Sequence, residues 1–431
     1  MQLSLFSEDS GTAVKKINSC ANKLNPADRR IHDWYRFVLS FPPHLVQDYF
    51  KRFDLKAGDT VLDPFCGTGT TIVEAKMQGM SGIGIEANTM AHFASSVKTD
   101  WFINPEELSK HADSISEQTF RTLESERTTN LRTLPEETFL LLLKDSISPL
   151  PLHKTLALLE QIKKNNNTGF KNIELLALAK SLVFSTSNLH FGPEVGVQRI
   201  KKHDSPVIEL WLAEVKTIVS DLRKTQGSSP AAVVHCGDSR LLKNLLKPCS
   251  IDAVFTSPPY PNEKDYTRTT RLESVILGFI KNKQELRSLK NGLLRSNTRN
   301  VFKNDDDDSW ITNNQKIQSI ANEIENRRIL LGKTSGFERL YAKTVKLYFG
   351  GMAKHLANLR PFLKPGAYLG YVVGDQASYL QVMINTGQLL AEIAQSLGYK
   401  IISLDLFRTR LSTATRMQLN EEVLVLQWQG F

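Results

Sequence analysis

Cysteine is scarce and scattered: Cys20, Cys66, Cys236 and Cys249 are the four in 431 residues. No two stand at the short spacing of a zinc site, and their density is far below that of a disulfide-stapled secreted domain. Reduced thiols in a cytoplasmic compartment are the expectation, with no metal centre. Apolar runs of about 18 residues, the length a membrane span needs, are missing. So is the basic-then-apolar order of a signal peptide at the N-terminus. A soluble, cytoplasmic chain is expected. No internal repeat is evident. Acidic side chains are outnumbered, 45 Asp and Glu against 54 Lys and Arg, for a formal net charge of +9. That balance permits a polyanionic partner without identifying one. The length exceeds the usual size of a single core, so insertions or a second domain are expected.

The pattern along the chain divides it into six stretches. Residues 1 to 30 are polar and aperiodic and read as a flexible tail. Residues 31 to 99 begin with helical spacing from Trp34 to Phe53, then give a strand Thr60-Val61-Leu62-Asp63, a glycine-containing turn, a helix from Thr70 and a second strand ending at Glu86. This is a βαβ unit. Residues 100 to 230 show mainly helical patterns without clear β alternation, as an inserted region would. Strand character resumes at 231 to 279, in Ala232–His235 and Ile251–Phe255. Residues 280 to 345 are polar, with basic residues and the acidic run Asp305–Asp308, and read as a long loop or small module. The remainder, 346 to 431, alternates strand, helix and strand. The whole is an α/β chain whose sheet is interrupted by one helical and one loop-rich insertion.

In Asp63-Pro64-Phe65-Cys66-Gly67-Thr68-Gly69-Thr70, two glycines directly after a strand allow a sharp turn and close approach of backbone to a ligand before a helix begins. The third glycine of the dinucleotide fingerprint is absent, and no Lys follows to make a phosphate loop. Glu86 ends the next strand, where a carboxylate can accept from both hydroxyls of a ribose. Asp238 closes the following core strand, where it could accept from an adenine amino group. Taken singly, these residues could equally be turn formers or helix caps. Their succession at carboxyl ends of strands in one α/β core favours a nucleoside ligand.

Ser257-Pro258-Pro259-Tyr260 follows the apolar strand Ile251–Phe255 and lies on the same edge. Two consecutive prolines hold the loop extended and keep its carbonyls out of a helix. An exocyclic amine conjugated with a base ring is a poor nucleophile. It improves if the Ser257 hydroxyl oxygen and the Pro258 carbonyl accept from its hydrogens and favour a tetrahedral nitrogen, with Tyr260 stacked on the base. The alternative is a proline-stiffened turn with a packing tyrosine.

With both motifs complete, the chain resembles the amino-methyltransferases of DNA, whose signatures are an Asp-Pro-Phe-x-Gly-x-Gly-Thr loop and a Ser/Asp/Asn-Pro-Pro-Tyr loop. The resemblance covers about residues 31 to 98 and 232 to 431. It implies a Rossmann-like class I methyltransferase sheet and S-adenosylmethionine as cofactor. By it, Asp63, Phe65, Gly67, Gly69 and Thr70 would surround the methionine part, Glu86 the ribose and Asp238 the adenine. Pro42 and Pro43 would belong to the family's leading cofactor element. Serine as first residue of the tetrapeptide usually accompanies methylation of cytosine N4 in this family, and Asp or Asn that of adenine N6. The substrate implied is double-stranded DNA, with a cognate restriction endonuclease as a possible companion. Adenine-N6 and RNA guanine-N2 methylation, and a catalytically silent DNA-binding subunit, are the alternatives.

A base in a duplex must be flipped out before its amine can react. Candidate DNA contacts are Arg199, Lys201 and Lys202, then Arg268 and Arg271 beside the tetrapeptide, then Arg295 and Arg299 in the second insertion. Charge runs are usually just solvated faces. Finally, Gln2-Leu3-Ser4-Leu5-Phe6 resembles the pentapeptide with which bacterial replication proteins bind the sliding clamp.

Overall fold

The computed structural model describes residues 26–36, 40–126, 130–165, 169–191, 195–225, 230–411 and 415–430. Nine strands are assigned among them: β1 (Thr60–Asp63), β2 (Ser81–Glu86), β3 (Leu189–Phe191), β4 (Val195–Val197), β5 (Ala232–Cys236), β6 (Ile251–Thr256), β7 (Leu363–Gly374), β8 (Lys400–Leu411) and β9 (Gln418–Gln427). Seven of them form one sheet in the order β5-β2-β1-β6-β7-β9-β8. The first five run parallel, and β9 enters antiparallel between β7 and β8. The order reverses direction at β1 and β6. In an open parallel sheet that point is where the carboxyl ends splay and leave a crevice.

Period-two alternation assigns the two faces. Leu369, Tyr371 and Val373 of β7, with Leu424 and Leu426 of β9, join a core that includes Met352 and Leu356 of the helix Tyr341–Leu359 and Leu389 and Leu390 of the helix Thr386–Ser396. Val372, Val423 and Val425 face the other way, against Val46, Tyr49 and Phe50 of the helix Pro43–Arg52. This is the sandwiching of a sheet between helices that the βαβ pattern implied. The α/β, Rossmann-like expectation holds.

Two local readings differ from expectation. The helical spacing from Trp34 to Phe53 becomes a short 3-10 turn, His32–Trp34, and a separate helix that starts only at Pro43. The consecutive prolines explain the break: each disfavours helix in the residue before it, while Pro43 itself suits the first helical position. Residues 280 to 345 are not chiefly loop, since they contain the helices Lys283–Asn291 and Gln315–Leu330. The first buries no residue and the second only Ile317, Ala321 and Ile324, so the apolar stripe that would betray them is thin.

Between residues 100 and 230 lie the helices Pro105–Ser125, Pro149–Lys164, Lys171–Ser181 and Val207–Thr225 and the small antiparallel ribbon β3-β4. They enclose a second core around Trp211, whose indole N–H donates to the Glu174 carbonyl. That core runs on into Met90, Ala94 and Val97 of the helix Thr89–Thr99, which seats the insertion against one end of the sheet. No helix of the described residues is long and apolar enough to cross a membrane.

Candidate active site at the carboxyl edge of the sheet

The turn after β1 is shaped by its glycines. Gly69 caps the helix Thr70–Met77 at φ 84°, a left-handed conformation, and a Cβ there would stand 3.0 Å from the Ser95 Cβ. The loop is tied to its neighbours by buried charge. Glu86, at the end of β2, accepts from the Gly67 N–H at 2.8 Å through one oxygen and from the Asn88 N–H at 2.7 Å through the other. Burial raises its pKa against the pull of these amides. Lys98, fully buried, donates to the Thr68 carbonyl at 2.8 Å and to that of Tyr35 at 3.3 Å; burial, with Arg36 nearby, brings its pKa down to about 7.

Asp63 lies beneath the loop. Its Oδ1 accepts from the Thr256 hydroxyl at 2.6 Å and the Phe65 N–H at 3.2 Å, joining β1 to β6 just before the Ser257 loop. Its Oδ2 is buried with no partner, and burial pushes the carboxyl up to about 7. His355 supports the same floor: it bonds the Ser239 carbonyl and the Tyr371 hydroxyl, each at 2.8 Å, and packs edge-on against Phe65. Burial lowers its pKa to about 4, so the ring is neutral. No local pattern announces His355, which arrives from the helix Tyr341–Leu359, about 100 residues beyond the tetrapeptide.

A cavity of about 480 Å³ opens above these groups, a size suited to a small-molecule ligand. One part is lined by Phe41, Phe65, Gly67, Thr68, Thr70, Glu86 and Asn88, with Gly237 and Ser239 beside them. The tetrapeptide Ser257–Tyr260 stands in the middle. The other part is lined by Asn262, Tyr266, Ser296, Gln376, Arg410 and Glu421. The two loops singled out from the sequence therefore meet in one cavity.

The Ser257 hydroxyl donates to the Val372 carbonyl of β7 at 3.0 Å. Its one hydrogen is thereby spent, so its oxygen can only accept, both from the Tyr260 phenol that also bonds it and from a ligand. The Tyr260 ring packs on Gly374, where a Cβ would come within 2.9 Å of its Cε2. Burial, with Glu421 close by, raises the pKa of its phenol, so it is neutral. Glu421 is held between Arg408, at 2.5 Å, and Arg410, at 3.4 Å. Arg410 also donates to the Asp375 carbonyl at 2.7 Å.

Other expected residues lie elsewhere. Pro42 and Pro43 are buried at the start of their helix, and it is Ser40 and Phe41 that reach the cavity. Asp238 does not line it. Its carboxylate is held by the Arg240 guanidinium, with contacts of 2.6 to 3.1 Å, and Arg240 in turn pairs with Asp307. Arg295 as a DNA contact is corrected outright. It is buried, in a two-pronged pair with Asp305 at 2.8 and 2.9 Å, and bonds three backbone carbonyls besides. Arg271 is likewise spent on Thr267 and the Leu141 carbonyl. Lys202 bonds the Ser185 carbonyl, and Lys201 turns back on that of Gln198. Arg199 and Arg299 are exposed, and Arg268 is half-buried. Gln2–Phe6 and Cys20 lie outside the described residues.

A seven-stranded sheet of this order with a cavity at its carboxyl edge is that of a Rossmann-like methyltransferase, whose methyl donor is S-adenosylmethionine. The residues present fit that cofactor: a glycine cradle, a half-buried carboxylate at the end of β2 and an unsatisfied acid oxygen below. A family described as DNA methylase matches residues 15–94. Over 95% of its length the chain is 29% identical to Type II methyltransferase M.BsoBI of Geobacillus stearothermophilus, covering 86% of that protein. It is 24% identical to Type II methyltransferase M.AvaI of Nostoc sp. PCC 7120, over 90% of this chain and 82% of that one. A 70-residue stretch, 16% of this chain, is 33% identical to 13% of M.MjaII of Methanocaldococcus jannaschii. The family model and the Type II methyltransferase relatives support the DNA amino-methyltransferase family for this chain.

Proposed function

We propose that this chain methylates the N4 amine of cytosine in a specific sequence of double-stranded DNA, as the modification half of a restriction-modification pair. The observation that carries the reading is the Ser257 hydroxyl, pinned as a donor to Val372 and so presented to the cavity as an acceptor. S-adenosylmethionine, when bound, supplies an electrophilic methyl group. Phe65, Gly67, Gly69 and Thr70, with Asp63 below, would hold its methionine part. Glu86 would take its ribose hydroxyls, and Asp238 would lie toward the adenine end.

The target cytosine would leave the duplex and enter the part of the cavity beside Tyr260, which stacks on its ring. Ser257 Oγ and the Pro258 carbonyl then accept from the two N4 hydrogens and draw the nitrogen lone pair out of conjugation. That lone pair would be placed to take the methyl group that bound S-adenosylmethionine supplies, and the surplus amine proton would leave to solvent.

Arg199, Lys201, Lys202, Arg268, Arg271 and Arg299 were the remaining basic candidates. Arg199 and Arg299 are exposed residues and are the two we retain as phosphate contacts. The relatives named Type II methyltransferases favour a cognate endonuclease acting on the same site. Gln2–Phe6 is proposed as a sliding-clamp ligand: deleting residues 1 to 8 should abolish clamp pull-down and spare methylation of naked DNA. The main test is to sequence DNA from cells expressing the chain with a method that separates N4-methylcytosine from N6-methyladenine. Ser257→Ala and Tyr260→Ala should each suppress the cytosine mark, and its persistence in both would sink the assigned centre.

A further inference from the structure

The helix Gln315–Leu330 ends in an apolar tip that the fold leaves uncovered. Ile329 is 61% exposed, Leu330 84%, Leu331 52% and Phe337 54%. All of 329–337 is exposed. The tip is nevertheless held by backbone bonds. Gly332, at φ 62°, donates to the Ile329 carbonyl, and Lys333 donates to that of Arg328, the two bonds of a Schellman stop. Exposed apolar side chains clustered at one place are not explained by folding and mark a contact surface.

Two features say what the contact is. Arg327, Arg328, Lys333 and Arg339 flank the tip against Glu325 and Glu338, which pair with Arg328 and Lys333, and the net positive charge that remains suits a polyanion. The tip also adjoins the base-side part of the cavity. The Arg299 guanidinium lies over the Phe337 ring, 5.7 Å from its centroid, and donates to the carbonyl of Glu263, a residue of the cavity wall. Arg327 reaches Gln381 at 3.4 Å, three residues beyond the lining residue Ser378.

We propose that Leu330, Leu331 and Phe337 form a wedge that enters the DNA stack as the target base leaves it, while the surrounding cations hold the flanking phosphates. Apolar side chains inserted between base steps offset the stacking that unpairing forfeits. The inference rests on the proposed entry of a base from duplex DNA into the cavity. It adds the group that fills the gap.

The test uses the full chain, radiolabelled S-adenosylmethionine and two duplexes carrying the site found by sequencing. One duplex is fully paired, and the other has an abasic nucleotide opposite the target, so that its extrusion costs little. Label is counted whichever base receives it, so a wrong base assignment leaves the measurement intact. Wild type failing on both duplexes would sink the underlying reading and the wedge with it. With wild type active, Leu330→Ser/Leu331→Ser should lose on the order of tenfold in rate on the paired duplex and recover on the abasic one. Phe337→Ser repeats the measurement with one side chain, should the double variant lose cofactor binding. Unchanged rates, or equal loss on both duplexes, would overturn the wedge. So would conversion of a dimer to a monomer in the variants without rescue, since the tip would then cover a second copy.

Discussion

Replacing Glu86 by Gln tests the cofactor side of the account with almost no change of shape. The carboxylate stands between two amide donors, Gly67 at 2.8 Å and Asn88 at 2.7 Å. A glutamine has one oxygen and one NH2 group, so either orientation turns a donor toward a donor and loses a charge-assisted bond. A ribose hydroxyl that donates to this side chain loses the charge of its acceptor as well. Hydrogen bonds to charged groups contribute about 1.5 to 3 kcal/mol each, which for one ribose contact is roughly 10- to 150-fold in affinity. Calorimetry with S-adenosylhomocysteine, which is not consumed, should give a dissociation constant raised within that range. Thermal melting should fall as well, from the lost amide bond. A lowered melting temperature with affinity within about twofold of wild type would refute the ribose role and leave Glu86 as a brace for the glycine loop.

Lys98 predicts a pH dependence. With its folded pKa near 7, below the ordinary 10.5 of a lysine, it is charged in both states below pH 7 and contributes no slope there. Between about pH 7 and 10 the unfolded chain binds the extra proton, so stability rises with pH, and Lys98→Met should remove that part of the rise in denaturant melts. Arg295→Ala breaks a buried pair with Asp305 and should cost about 3 to 5 kcal/mol in stability without altering the salt dependence of DNA binding. An altered salt slope with unchanged stability would restore Arg295 as a phosphate contact. Gly374→Ala puts a Cβ 2.9 Å from the Tyr260 ring and should slow methyl transfer by about tenfold or more while leaving S-adenosylhomocysteine affinity unchanged.

Much of the site was legible because its central pieces are local. A strand, a glycine turn and a helix are contiguous between Thr60 and Met77, and Ser257–Tyr260 follows its strand directly. Their shared edge follows from parallel pairing of β1 with β6. Groups brought by sheet order were hidden. Arg410 and Glu421 reach the cavity because β9 inserts antiparallel beside β7, opposite Gly374, and no local pattern announces that. Basic residues misled for a related reason. Arg295 looked free because its partner Asp305 sits in a run of four acids that reads as solvated, and Asp238 looked available although Arg240, two residues on, holds it. The helix Gln315–Leu330 was missed because only three of its residues are buried.

The central claim is the identity of the methylated atom. Purified protein incubated with labelled S-adenosylmethionine and unmethylated bacterial DNA, followed by digestion to nucleosides and chromatography, reads it directly. The account predicts label in N4-methyldeoxycytidine and its loss with Ser257→Ala. Label in N6-methyldeoxyadenosine instead would contradict it.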